Sequence, residues 1–238
     1  MWRHESGHVH DGRMITSLDL LLPEEAYEGP MQMALDEALL RSVSKPTLRI
    51  YHWSNPWVTF GYFQEIRKVH AGFPDIPAVR RWTGGGMVQH GEDLTFSLIL
   101  PYGSKLAEES PTALYHVLHG MLADQIRSTL PVSVELAGSE DMRRGEACFQ
   151  APVHDDLLIN EAKVLGGALR RSGGGVLYQG SLQIKEVPGW NPVGSEASFL
   201  ANALSENHNL VKMSSSLLKE AKELVSARYG TEFWNQRK

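Results

Sequence analysis

An α+β fold, built mainly on antiparallel sheets flanked by helices, is what the sequence predicts. Helix-like and strand-like stretches alternate along 238 residues with no clean linker and no internal repeat. The strand-like stretches follow one another through short turns more often than through helices, the signature of antiparallel pairing. The 42% apolar and 21% charged residues are those of an ordinary globular protein, long enough for one large domain or two small ones.

Each element has a local reason. "GPMQMALDEALLRSV" opens on Gly-Pro and places Met33, Leu35, Ala38 and Leu39 at roughly helical spacing, so a helix is expected. "PTLRIYHWSNPWVTFGYFQ" alternates and is rich in β-branched and aromatic residues; Asn55-Pro56 reads as a turn between two strands. "PAVRRWTGG" and "DLTFSLILP" read as strands on either side of a glycine loop. "SPTALYHVLHGMLADQIRSTL" is an amphipathic helix with Ser110 as N-cap and Pro111 at its first position. "DLLINEAKVLGGALRRSGGGVLYQGSLQI" reads as three strands with turns at Asn160-Glu161 and at Gly173 to Gly175. "SSSLLKEAKELVSARYG" is a closing helix with a serine cap and a Gly230 C-cap. Residues 1–13 are expected to be a disordered tail and residues 14–238 a single domain.

Composition narrows the function classes. One cysteine forms no internal disulfide, so no oxidising compartment is required. No apolar run is long enough to span a bilayer, and the N-terminus has no apolar signal region. A net charge of −5 argues against general nucleic-acid binding. A cytoplasmic protein that binds neither membrane nor nucleic acid is expected. "HESGH" at residues 4–8 fits the zinc-protease pattern H-E-x-x-H, which works only on a helix that puts both histidines on one face. Gly7 interrupts it and Gly12 follows, so no metal site is expected.

Three places carry chemistry. In "RRWTGGGMVQHGEDLTFSL", Gly84, Gly85 and Gly86 permit a close backbone approach, and their amides can face an anion or a carbonyl. Arg80 and Arg81 alternate on the preceding strand and are not both expected in the core, so one is free to reach a phosphate or carboxylate. His90 is expected as a hydrogen-bonding residue. Neither a P-loop nor a Rossmann glycine pattern occurs. Lys163 sits among Leu157, Leu158, Ile159, Val164 and Leu165; it either points outward from a hairpin or polarises an acyl carbonyl. Cys148, with Arg143, Arg144 and His154 nearby in sequence, is either inert packing or a nucleophile whose thiol the cations activate.

"MALDEALL", "LRIYHWSNPWVTFGYFQ", "RRWTGGGMVQHGEDLTFSL" and "ACFQAPVHDDLLINEAKVLGGALRR…GVLYQGSL" occur in an order that resembles the lipoate-protein ligase and octanoyltransferase family, relatives of biotin-protein ligase, over roughly residues 15–185. The Arg-Arg-x-x-Gly-Gly-Gly loop with its following His, and the Lys before the Gly166-x-Ala168-x-Arg170 strand, are the most specific parts. The resemblance implies the fold of that catalytic domain and attachment of octanoyl or lipoyl groups to a lysine of a carrier. It also implies an acyl tunnel lined by Gly84 to Gly86 and Lys163, with Arg80, Arg81, His90, Gly166 and Ala168 around the acyl group or nucleotide. The acceptor implied is a lipoyl-domain protein or glycine cleavage H protein, and the donor an acyl carrier protein.

The family holds two chemistries. Ligases form an acyl-adenylate with ATP and Mg. Transferases that need no cofactor hold the acyl chain as a thioester on a cysteine in an "ACF" context, which Cys148 matches. The chain is also expected to end near the catalytic domain, without the extra C-terminal domain of many ligases. Gly86 has the ligase form where those transferases carry Arg, Gln179 stands where "HGS" is commoner, and Ala162 replaces Gly. A Cys148-dependent acyltransferase is the leading expectation and an ATP-dependent ligase the alternative. A non-catalytic module that binds lipoyl groups or a carrier is the third.

Overall fold

The computed structural model describes residues 14–139, 152–192 and 194–237. In chain order, β1 (Leu18–Leu21) is followed by α1 (Gly29–Ser42), β2 (Thr47–Ile50), β3 (Trp57–Phe60) and α2 (Ile66–Gly72). Then come β4 (Ala78–Arg80), β5 (Val88–His90), β6 (Leu94–Pro101), α3 (Lys105–Glu108), α4 (Pro111–Thr129) and β7 (Glu135–Leu136). After residue 152 follow β8 (Leu157–Ile159), β9 (Ala162–Ser172), β10 (Gly175–Leu182), α5 (Glu196–Leu204) and β11 (His208–Val211). The chain closes with α6 (Ser215–Leu224), a π-helical turn (Val225–Tyr229) and α7 (Glu232–Asn235).

Local signals act as expected. The Ser110 hydroxyl accepts from the Ala113 amide at 3.2 Å, and Ser214 caps α6 from the Leu217 amide at 3.1 Å. Asn160 and Glu161 both have positive φ, 51° and 66°, the two-residue turn that matches strand twist between β8 and β9. Gly230 ends the π-helical turn with φ −87°, so it needs no left-handed freedom.

Among the described residues the strands form two sheets. The larger runs β11-β1-β2-β6-β10-β9-β8-β7 and the smaller β4-β3-β5. Most neighbours are antiparallel, but β1 lies parallel to both β2 and β11, and β3 lies parallel to β4. The turn at Asn55-Pro56 therefore does not close a hairpin: β2 joins the large sheet and β3 the small one. Both strands are wholly buried, so neither has the solvent face that a simple hairpin offers.

Alternation in β10 divides the core. Val176 and Tyr178 join Leu114, Leu118, Leu122 and Ile126 of α4 on one face of the large sheet. Leu177 points the other way, with Leu35 and Leu39 of α1 and Leu217 and Ala221 of α6. The glycine loop and the small sheet stand over the α1 side of this face, which is where polar side chains collect. No helix among the described residues is long and apolar enough to cross a membrane.

Candidate functional site

Strand register builds the site in two ranks. Arg49 of β2, Ser97 of β6, Gln179 of β10 and Ala168 of β9 lie side by side across the sheet. The first three turn to Asp36 of α1: Arg49 Nη1 and Ser97 Oγ each donate to its Oδ1 at 2.8 Å, and Gln179 Nε2 to its Oδ2 at 2.7 Å. The Tyr51 hydroxyl also donates to Oδ2. Burial and the Asp36 charge push the Tyr51 phenol well above its ordinary range. Gln179 Oε1 accepts from Thr83 Oγ1 at 2.6 Å, which ties the glycine loop to this rank.

Two residues along, Thr95 of β6, Ser181 of β10 and Gly166 of β9 form the next rank. The Thr95 and Ser181 hydroxyls donate to Asp93 Oδ2 at 2.8 and 2.5 Å, and His90 Nδ1 lies 2.8 Å from the same oxygen. Burial opposes the Asp93 charge, but His90 and the two hydroxyls outweigh it and hold the carboxyl below its ordinary value. The other His90 nitrogen is 2.8 Å from Thr59 Oγ1, and the imidazole stacks on Trp53 with ring centres 4.5 Å apart.

Between the two sheets lies a pocket of about 380 Å³ of atom-free space, partly open to solvent. Its floor is Gly166, Gly167, Ala168, Gln179, Gly180 and Ser181; Thr59, Arg81, Val88 and His90 face them, and Met33, Tyr51, Trp53 and Thr95 complete the lining. Met33, Val88, Trp53 and the glycines make a narrow, largely apolar bed with polar groups at fixed points.

Lys163 stands beside that floor, against Gly166. Its side chain is 2% exposed and its Nζ is 2.7 Å from Asp156 Oδ2, so of the two alternatives for this lysine the outward-pointing one does not hold. Asp156 is pinned in turn: Tyr115 Oη donates to Oδ1 at 2.6 Å and the Val153 amide to Oδ2 at 2.7 Å. Burial and the Asp156 charge push the Tyr115 phenol well up. A methyl on Gly166 would stand 2.7 Å from Nζ of Lys163, and one on Gly167 would clash with the oxygen and Cζ of the Tyr178 phenol. The two adjacent glycines face opposite sides of β9, so Gly166 leaves room for the ammonium on the pocket side and Gly167 for the Tyr178 phenol on the α4 side.

The remaining predicted residues divide. Arg80 and Arg81 are both buried, at 1% and 5% exposure, contrary to expectation. Arg80 spends all five guanidinium donors on carbonyls: Tyr62 and Gln64 at 2.7 and 2.6 Å, Trp234 and Asn235 at 3.0 Å, and Arg237 at 2.7 Å. It joins the loop after β3 to the C-terminal segment and has no donor left for a ligand. Arg81 points to the opposite side, where it donates to Thr59 Oγ1 at 2.7 Å and to the Gly84 and Gly86 carbonyls at 2.8 Å. The loop is wrapped around this guanidinium, with Gly85 at φ +84°. Gly84, Gly85, Gly86 and Lys163 therefore sit one layer outside the lining: a methyl on Gly85 would touch Ala168 at 3.4 Å, as one on Gly166 would touch Lys163. His90 takes the hydrogen-bonding role expected of it.

Cys148, Arg143 and Arg144 lie outside the described residues, as does "HESGH". His154, expected near the cysteine, lies 2.9 Å from Asp155 Oδ2. Asp36, Asp93, Asp156 and Tyr115 were not singled out from the sequence. The available signal was acidic residues embedded in apolar runs, "MALDEALL" and "HDDLLI", where an unpaired carboxylate is costly.

Fold and pocket together describe an α+β protein with a ligand bed between a large and a small sheet. The chain belongs to the lipoyl protein ligase A/B catalytic domain family, whose model matches residues 28–186. It is 33% identical to octanoyltransferase LipM of Clostridioides difficile (strain 630) over 68% of this chain and 64% of that protein. It is 34% identical to octanoyltransferase LipM of Macrococcus caseolyticus (strain JCSC5402) over 63% of this chain and 60% of that protein. The matched part thus spans less than two thirds of the length of these relatives. Among solved structures, lipoate-protein ligase A bound with ATP superposes with a TM-score of 0.72 at 23% identity, over 93% of this chain and 99% of that one. A bi-partite lipoate protein ligase from Thermoplasma acidophilum, studied with its E2 lipoyl domain, gives a TM-score of 0.69 at 23% identity over 94% and 98%.

Proposed function

We propose that this protein is an acyltransferase that moves an octanoyl or lipoyl group onto a lysine of a lipoyl carrier domain in the cytoplasm. The observation that carries the reading is the buried Lys163 ammonium, held by Asp156 against Gly166 at the edge of the pocket. A fixed cation one atom layer from an apolar bed suits an acyl carbonyl that gains negative charge during attack. Burial of an eight-carbon tail contributes several kcal/mol, at about 0.8 kcal/mol per methylene.

In this reading the Cys148 thiolate attacks the thioester carbonyl of an acylated carrier, the carrier thiolate leaves, and the acyl group stays on Cys148 Sγ. The acceptor lysine, as a free amine, then attacks that thioester. An amide forms, the C–S bond breaks, the amine proton is lost to solvent and the thiolate is restored. Exchange between thioesters is nearly isoenergetic, so the transferase needs no nucleotide. An acyl carrier protein is the donor, and a lipoyl-domain protein or glycine cleavage H protein the acceptor. Support comes from the similarity to octanoyltransferases and from the "ACF" context of Cys148.

One feature favours a second reading, an ATP-dependent ligase: Gly86 has the ligase form. That chemistry needs ATP and Mg to make an acyl-adenylate. Arg80 does not fit a phosphate-binding role, because all its donors are taken by backbone carbonyls.

Intact mass separates the readings. The protein is incubated with octanoylated acyl carrier protein, or with lipoate, ATP and Mg, in the presence of a lipoyl-domain acceptor. Transfer from the carrier without nucleotide is expected, through an octanoyl adduct that hydroxylamine removes and that Cys148→Ser does not form. Acceptor modification only with free acid and ATP makes the protein a ligase. Retained ligand without turnover makes it a binding module.

A further inference from the structure

We propose that a stack of arginine and aromatic side chains beside the pocket is the docking face for an acidic carrier domain, the one whose lysine receives the acyl group. The proposal rests on the acyl-transfer reading and adds where the macromolecular substrate sits. Three guanidinium groups interleave with three rings. Arg170 lies over Trp82 and Tyr62, with 4.6 and 5.0 Å to the ring centres. Arg237 lies over Tyr62 at 4.2 Å and Trp234 at 5.2 Å, and Arg228 over Trp234 at 5.1 Å. One further ring extends this stack into solvent: Phe63, 87% exposed, packs edge-on against Tyr62; Phe233, 90% exposed, is the residue before Trp234 on α7.

The patch is electropositive on a chain of net charge −5. Among the described residues Arg170 and Arg237 make no ion pair; Arg228 pairs with Glu37. The buried Arg80 guanidinium beneath them adds a further cation, close enough to Arg237 for the two charges to repel. Stacked arginines are already immobilised, so they lose little freedom when they bind carboxylates. Together with exposed aromatics they are the residue types that dominate protein interfaces. The same composition serves single-stranded nucleic acid only when ring faces are open for bases to stack. Here the faces of Tyr62, Trp82 and Trp234 are covered by the chain's own guanidinium groups, which favours a protein partner.

Position ties the patch to transfer. Gly166, Ala168 and Arg170 share one face of β9; the first two line the pocket and the third belongs to the stack. Two strand residues span about 7 Å, a distance that an extended lysine side chain covers. A domain seated on the arginines therefore delivers its lysine to the pocket. Much of the patch comes from residues 228–237, beyond the family match at residues 28–186.

Binding of a purified apo lipoyl domain to the full-length protein is measured for the wild type, for Arg237→Glu and for the double variant Phe63→Ser, Phe233→Ser. Each variant is expected to weaken Kd by about tenfold or more, with melting temperature retained. Affinity of the wild type is expected to fall as NaCl rises from about 50 to about 300 mM. A Glu→Lys change in the lipoyl domain is expected to restore binding to Arg237→Glu. Wild-type affinity in both folded variants overturns the docking face while leaving transfer intact. A single-stranded oligonucleotide that binds the patch in preference to the domain also overturns it. A wild type that neither binds nor acylates the carrier removes the functional reading itself.

Discussion

At the scale of single residues, the paired glycines of the pocket floor have separable duties. A methyl on Gly166 meets the far end of Lys163, a flexible side chain that can withdraw. Gly166→Ala should therefore keep its fold yet lose acyl transfer, by about 10²-fold, the scale of losing one oxyanion donor. A methyl on Gly167 meets the Tyr178 ring, which is fully buried and held by His119 at 2.7 Å. Gly167→Ala should cost about 1–3 kcal/mol of stability through overpacking. Urea unfolding of the two variants, beside their turnover, checks the distinction; equal destabilisation argues against a movable Lys163. Lys163→Ala differs from both, because it strands the Asp156 carboxylate without its cation. It should cost about 3–5 kcal/mol as well as activity, and Asp156→Asn in the same chain should recover part of the stability.

At the scale of elements, β4 and the C-terminal segment are one mechanical unit. The Arg80 amide donates to Asn235 Oδ1 at 2.8 Å, its carbonyl accepts from Trp234 Nε1 at 3.0 Å, and its guanidinium takes three carbonyls from residues 234–237. Truncation after Gly230 removes all of these and leaves a buried cation with orphaned donors. Each unsatisfied buried group costs about 1–3 kcal/mol, so the truncated chain should lose at least about 3 kcal/mol. For a chain of this size that lowers Tm by about 2–4 °C per kcal/mol. Combining the truncation with Arg80→Met should cost less than the sum of the two, since both break one network. Additive losses in a thermal melt would show that the segment stabilises the fold by some other contact.

At the scale of the whole molecule, acid should act first through a histidine. His119 is fully buried, and burial is the main reason that its pKa falls to about 3, against an ordinary 6.5. The folded state keeps it neutral while the unfolded chain takes up a proton, so stability falls as pH drops from about 6.5 toward 3. The slope from one such group is at most about 1.4 kcal/mol per pH unit. Asp93 has the opposite chemistry and a lower window. Its carboxyl is held below the ordinary value, so its contribution is present at neutral pH and is lost only as pH falls through that depressed value. Unfolding free energy measured at pH 7 and pH 4.5 should therefore drop less in His119→Gln than in the wild type. An equal drop assigns the acid sensitivity elsewhere.

Element types were legible in the sequence because their causes are local. Ser110 and Ser214 cap their helices, Pro30 opens α1, and Asn160-Glu161 turns one strand into the next through contacts a few residues apart. The family resemblance was legible for a related reason: its motifs are short, contiguous and ordered. Only the tertiary structure decided which sheet each strand joins, why both arginines of β4 and its exit are buried, and how Lys163 is paired. Those outcomes depend on partners far away in sequence, such as Gln179 and Asp36, 143 residues apart, or Arg80 and Arg237, 157 apart. A buried polar side chain must find a partner, but nothing in its own neighbourhood says which one. Strand register supplies the answer, by setting Arg49, Ser97 and Gln179 side by side over a single aspartate.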